Sequence, residues 1–201
     1  MDAEKDVEII SKETVFQGYF RMDRYRLRHR RFDGGWTHEI IREVFERGHA
    51  VVVILYDPDL DRVVMVEQFR TGAYAAGWDP WQVEFVAGII EEGESPAAVA
   101  LRETEEESGC TPLDMIEVGA YSVTAGGSSE TARLFCARVD SSKAGGLHGL
   151  IEEGEDIRVL TLSTDEALAL LRQGRITNAM AAVGIQWLVL ERDNLRARWS
   201  R

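Results

Sequence analysis

The sequence predicts an α+β fold, and three observations predict it. Short apolar runs, alternating or continuous, are bounded by Gly, Pro and Asp, which is the pattern of strands. A stretch from Ser95 to Gly109 has helical spacing between a start and a stop signal, and a second amphipathic stretch runs from about Asn178 to Arg196. Strands and helices interleave without an internal repeat, so a mixed sheet between helices is expected. A chain of 201 residues can bury a core, and it reads most simply as two parts, 1–48 and 49–201.

In order, the segment from Asp6 to His38 suits a small antiparallel sheet with a tight turn at Asp33-Gly34-Gly35. Arg24, Arg26, Arg28 and Arg30 alternate with Tyr25, Leu27 and His29, which makes one strand face basic. That face reads as a solvated strand or a subunit contact, with a nucleic-acid patch disfavoured by the overall charge. So small a sheet cannot readily bury its own apolar face, and a second subunit is the expected cover. Residues Thr37 to Glu46 alternate and feed His49 to Asp57, a nearly continuous apolar strand expected at the centre. Asp57 to Asp61 turns the chain, Arg62 to Phe69 returns as a hairpin partner, and a loop from Arg70 leads to a strand at Gln82 to Ala87.

Next comes GIIEEGESPAAVALRETEEESGC, Gly88 to Cys110. Ser95 and Pro96 start the helix and Gly109 stops it. Ala97, Leu101, Thr104 and Ser108 recur at three- and four-residue spacing as the expected packed stripe, with the acids opposite. Glu103, Glu106 and Glu107 share an arc of roughly 100°. Carboxylates so close disfavour a helix near its C-terminal end and need a compensating charge. Without clustered His or Cys, the hard oxygen donors point to Mg2+, with Mn2+ as a substitute; the alternative is a solvated acidic face.

After this helix, strands are expected near Met115 to Thr124 and Thr131 to Val139, joined through Ala125 to Ser129. Asp140 to Gly154 is a glycine-containing loop of the length that tends to be functional, with Glu152, Glu153 and Glu155 near its end and His148 within it. A strand from Ile157 to Leu162, a Thr164-capped helix through Leu171 and the final helix complete the chain.

The formal charge of −12 argues against nucleic acid or an anionic membrane as partner. Cys110 and Cys136 lie in expected core elements without metal-type spacing, as buried free thiols. The acidic start lacks the pattern of a signal peptide and no apolar run approaches about 18 residues, so a soluble cytoplasmic protein is expected.

The spacing of Gly88, Glu94, Arg102, Glu103, Glu106, Glu107 and Gly109 resembles the Nudix box, the signature of hydrolases acting on a nucleoside diphosphate linked to another group. Thr104 and Cys110 depart from it where the family usually has aliphatic residues. The resemblance implies an α/β/α sandwich with a mixed sheet, plus the N-terminal antiparallel sheet as a separate domain. Further stretches, among them DVEII, GG.SE and EDIRV, are similar to the bacterial ADP-ribose pyrophosphatases, in which the N-terminal sheet is exchanged across a homodimer. The implied reaction is hydrolysis of ADP-ribose to AMP and ribose 5-phosphate with two or more Mg2+ per site. Alternatives are hydrolysis of GDP-mannose or ADP-glucose, or a non-catalytic ADP-ribose sensor, which usually lacks box acids that are intact here.

By the same resemblance, the Ala87 carbonyl, Glu103, Glu106, Glu107 and Glu155 are metal ligands and Glu153 is the general base. Glu94 and Arg102 pair to hold loop against helix, and Gly88 and Gly109 are structural. Arg42 and Arg70 contact phosphate and ribose, Glu130 the terminal ribose, and Tyr19 the adenine.

Overall fold

The computed structural model describes residues 2–150, 152 and 154–199. The chain divides into two compact units, residues 1–48 with 122–131, and residues 49–121 with 132–201.

In the first unit a short helix, α1 (Ala3–Asp6), leads into β1 (Val7–Gln17), β2 (Arg21–His29) and β3 (Ile40–Glu46), antiparallel in that order. Three arginines of the basic stripe are paired with acids of the same unit: Arg24 bonds Glu43 and Glu13, Arg26 bonds Glu39, and Arg28 bonds Glu8. Arg28 and Arg30 also lie over the ring of Trp36, 5.1 and 4.4 Å from its centroid. Exposed pairs of this kind contribute little to stability, so they set charge pattern more than stability. Strand β1 is exposed along its length, Ile9 and Phe16 included. Segment 122–131 joins the unit by backbone pairing, with the Phe45 N–H donating to the Gly127 carbonyl at 2.8 Å.

The second unit contains β4 (His49–Asp57), β5 (Arg62–Phe69), α2 (Thr71–Ala75), β6 (Trp81–Glu84), β7 (Val86–Ile90), α3 (Pro96–Ser108) and β8 (Asp114–Ser122). They are followed by β9 (Thr131–Arg138), β10 (Leu147–His148), β11 (Ile157–Ser163), α4 (Thr164–Arg172) and α5 (Ala179–Trp199). The sheet order is β10-β11-β5-β4-β9-β8, with β4 and β9 parallel. Both faces of β4 are covered, which explains its unbroken apolar run. Ile54 and Tyr56 face Ile185 and Leu188 of α5, whereas Val51 and Val53 face Val99 and Ala100 of α3. Among the described residues no helix is long and apolar enough to cross a membrane.

The strand expected at Gln82 to Ala87 is broken at Phe85. Strands β4 and β5 pair only from Leu55↔Val64 to Asp57↔Arg62 and then part; β6 continues along β5 while β7 continues along β4. The sheet forks, and Phe85, fully buried at the fork, turns its ring toward α5.

Two local expectations are corrected. The loop after Arg70 contains α2, and the cap of α4 is Ser163, which forms a reciprocal capping box with Glu166. Thr164 instead donates to Asp61, whose carboxylate also accepts from Tyr56 at 2.9 Å and from Arg192. Burial would push the Asp61 carboxyl up, but Arg192 and these hydroxyls outweigh it and hold it below the ordinary carboxylate range.

Helix α5 reaches the sheet because Gly184 has no side chain: a Cβ there would lie 2.5 Å from Phe85 Cε2 and 3.2 Å from Ile54 Cγ1. Helix propensity alone predicts that Gly184→Ala stabilises by about 1 kcal/mol, whereas overpacking typically costs about 1–3 kcal/mol. The clash is with a fully buried ring that has little room to move, so Gly184→Ala lowers the urea midpoint; a raised midpoint overturns this account of the packing.

Candidate active site

The site is built on α3. Ser95 accepts from the Ala98 N–H at 3.2 Å, Pro96 opens the helix, and Gly109, at φ 66°, closes it by donating to the Glu105 carbonyl. A non-glycine residue would be strained there.

The buried face differs from the expected stripe. It consists of Val99, Ala100, Thr104, Glu107 and Ser108, while Ala97 is exposed and Leu101 is 44% exposed. Thr104 and Ser108 can be buried because each hydroxyl donates to the carbonyl four residues back, Ala100 and Thr104 respectively. Consequently the acids do not all lie opposite the packed stripe. Glu107 is in it, only 3% exposed; Glu103 is largely covered and Glu106 open.

The link to the sheet is a hydrogen bond from the Ala87 N–H to Glu107 Oε2, 3.2 Å. Beside it, the Glu103 carboxylate occupies the space that a Cβ on Gly88 would fill. Burial, reinforced by the charges of Glu103 and Glu155, pushes the Glu107 carboxyl up to about 8 against the pull of the Ala87 N–H and Arg70. Burial likewise pushes Glu103 up to about 7, with Arg102 pulling it down and Glu106 and Glu155 adding to the rise.

Arg102 supplies part of the missing positive charge, lying 2.9 Å from Glu103 Oε1 and 3.0 Å from Glu106 Oε2. Its separation from Glu94 Oε1 is 3.8 Å, longer than a hydrogen bond. Glu94 keeps this longer ion pair with Arg102 and also folds its own loop by accepting from the Glu91 N–H at 3.0 Å. Arg70 grips Glu84 Oε2 through Nε and Nη2 at 2.9 and 2.8 Å, and Asn178 donates to the other Glu84 oxygen. Sequence reasoning missed Glu84, although an acid inside an otherwise apolar strand was a usable signal.

Glu155 lies in the loop before β11. Its N–H donates to the Leu150 carbonyl and its Oε2 accepts from the Leu150 N–H, at 3.1 and 3.2 Å. Its charge is felt at both Glu103 and Glu107. Glu153 lies outside the described residues; Glu152 is exposed.

Three other expected residues belong to the first unit. Tyr19 is 88% exposed and packs edge-on against Phe20 at 4.8 Å. Glu130 is paired with Arg47 at 3.2 Å, and the Arg47 guanidinium lies over the Phe20 ring. Arg47 was not expected from sequence. Arg42 is exposed on β3 and donates to the Ile41 carbonyl.

Among the described residues, no three acidic, His or Cys side chains converge tightly enough to hold a metal by themselves. The donor chemistry still fits a hard divalent cation. Glu107 is a buried carboxylate stabilised by one backbone N–H, and Glu103 sits beside it in a gap kept open by a glycine. Such a cation usually completes its shell with water and substrate phosphate.

Comparison with known proteins points the same way. A family profile described as NUDIX domain matches residues 46–178. The ADP-ribose pyrophosphatase of Escherichia coli K12 is 45% identical over 195 residues, covering 97% of this chain and 93% of that protein. The ADP-ribose pyrophosphatase of Haemophilus influenzae is 39% identical over 202 residues, covering 99% and 93%. A solved structure described as an ADP compounds hydrolase has the same fold, with a TM-score of 0.70 at 20% identity over 92% of this chain and 96% of that one. The profile spans the forked sheet and its acidic helix, the relatives align nearly end to end, and the chain therefore belongs to the NUDIX domain family.

Proposed function

We propose that this protein hydrolyses the pyrophosphate bond of ADP-ribose to AMP and ribose 5-phosphate, using Mg2+. The observation that carries the reading is the buried Glu107 beside the largely covered Glu103, set against Ala87 and Gly88, in a chain similar nearly end to end to ADP-ribose pyrophosphatases.

Glu103, Glu107 and the Ala87 carbonyl would hold two or more Mg2+ ions, with Glu106 and Glu155 in support. When bound, such ions neutralise phosphate oxygens and lower the pKa of water. Arg102 keeps Glu103 and Glu106 from repelling each other. Arg70, steadied by Glu84, presents a guanidinium to a phosphate or ribose oxygen. Attack by water forms a phosphorus–oxygen bond and breaks the bridging one; the water's proton passes to the Glu153 carboxylate and the leaving phosphate keeps the electron pair. Arg42, Glu130 and Tyr19 are assigned as further substrate contacts, and the first unit's sheet as a surface exchanged in a homodimer. The exposed apolar side chains of β1 support the latter. The two buried free cysteines suit the reducing cytoplasm.

The direct test is hydrolysis by purified protein with Mg2+ of ADP-ribose beside GDP-mannose and ADP-glucose. ADP-ribose is the preferred substrate, giving AMP and ribose 5-phosphate, and chelator abolishes the reaction; preference for another sugar nucleotide overturns the substrate assignment.

Glu107→Gln removes nearly all turnover and the protein stays folded, because Gln fills the same buried space without charge. The metal-free protein supplies an independent readout. A carboxyl held up to about 8 in the folded state keeps its proton there, so stability is fullest below the ordinary carboxylate range and is lost as pH climbs to about 8. Thermal melts of metal-free wild type from pH 5 to 8.5 show this decline, Glu107→Gln lessens it, and Mg2+ offsets it in wild type alone. Near-normal turnover of the variant in saturating Mg2+ rules out the metal role.

Glu153→Gln lowers kcat by about 10²–10⁴-fold and leaves substrate affinity unchanged. Equilibrium binding of ADP-ribose checks this, since loss of binding instead makes Glu153 a ligand or substrate contact.

A further inference from the structure

The loop from Asp140 to Asp156 carries Glu155, yet glycines at 145, 146, 149 and 154 give it little intrinsic stiffness. Its start is fixed by Asp57, a buried carboxylate that accepts from the Ser141 N–H at 2.9 Å and the Ser141 hydroxyl at 2.7 Å. Its middle is fixed differently. His148 is in β10, which pairs with β11 through Leu147↔Arg158 and His148↔Ile157. The imidazole lies directly over Gly109, so a Cβ on that glycine would come within 2.7 Å of His148 Cε1. On its other side, His148 Nε2 is 2.9 Å from the Gly145 carbonyl. A carbonyl only accepts, so Nε2 carries the proton in this contact.

We infer that His148 is a positioning residue, which seats the Glu155 loop on the C-terminal end of the box helix by docking its ring in the space left by Gly109. Gly109 then has two duties: it adopts the left-handed conformation that ends α3, and it leaves room for the imidazole. The chain from His148 is short and closed. Gly149 packs against Glu155 Cβ, and the reciprocal Leu150–Glu155 bonds tie Glu155 to the His148 side of the loop, with its charge acting on Glu103 and Glu107. A general-base role for His148 does not suit a proton-bearing Nε2 that is directed at a backbone carbonyl. The role in turnover rests on the ADP-ribose reading above, but the docking does not.

The test compares wild type, His148→Ala and His148→Gln as full-length protein. Gln can still donate to the Gly145 carbonyl but cannot act as a base. In metal-free protein, amide exchange at Leu150 and Val159, both bonded within this loop and its strand, is faster in His148→Ala and returns toward wild type in His148→Gln. With ADP-ribose and Mg2+, kcat of His148→Ala falls about 10–100-fold at unchanged KM, the usual scale for a residue that orients a ligand, and His148→Gln recovers part of it. Unchanged exchange in His148→Ala overturns the docking. Unchanged kcat, or equal loss in His148→Gln, overturns the positioning role. If wild type does not cleave ADP-ribose, the substrate reading fails, and the exchange measurement alone decides the docking.

Discussion

A carboxylate buried at the foot of a helix is the constraint on which the second unit turns. Glu107 is covered on the sheet side, yet its only described protein hydrogen bond is from the Ala87 N–H. Taking such a group out of water is costly unless it is protonated or paired. This one contact draws the last turn of α3 onto β7, places Glu103 over Gly88, and leaves a concentration of negative charge that the protein compensates only in part, through Arg102 and more remotely Arg70. The fold stabilises the arrangement from behind, with Val99 and Ala100 packed on Val51 and Val53. Packing energy from the aliphatic layer is what allows an unfavourable electrostatic arrangement to persist.

Much of this was legible in the sequence wherever local chemistry decides. The ends of α3 fall where Ser95, Pro96 and Gly109 put them, and β4 and β5 have the expected bounds, because caps and turn residues act on the backbone beside them. The box residues were recognisable by type and spacing for the same reason. What escaped was decided across the fold. Helical spacing favoured Ala97 and Leu101 for the packed face, but the Ala87 N–H and the hydroxyl back-bonds of Thr104 and Ser108 rotate the burial toward Glu107. Likewise, nothing within Gln82 to Ala87 announces a break at Phe85; it follows from two strands of an earlier hairpin parting.

Side-chain partners were the least legible. Arg102 was expected to hold Glu94 and is closer to Glu103 and Glu106; Arg70 is committed to Glu84, and Glu130 to Arg47. Long cationic side chains choose among several acids within reach, and that choice depends on distances that the order of residues does not encode. The alternating arginines of β2 teach the same lesson, since the strands on either side carry acids that pair with them.

The parallel pairing of β4 with β9 also has a kinetic meaning. It joins Ala50 to Ala132 and Tyr56 to Arg138, so the centre of the sheet closes only after the intervening chain has been gathered in. The hairpin of β4 and β5 and the capped helix α3 need no such closure and can form from near neighbours. A pairing so distant in sequence raises the contact order of the fold, and its closure is slow beside that of the hairpin.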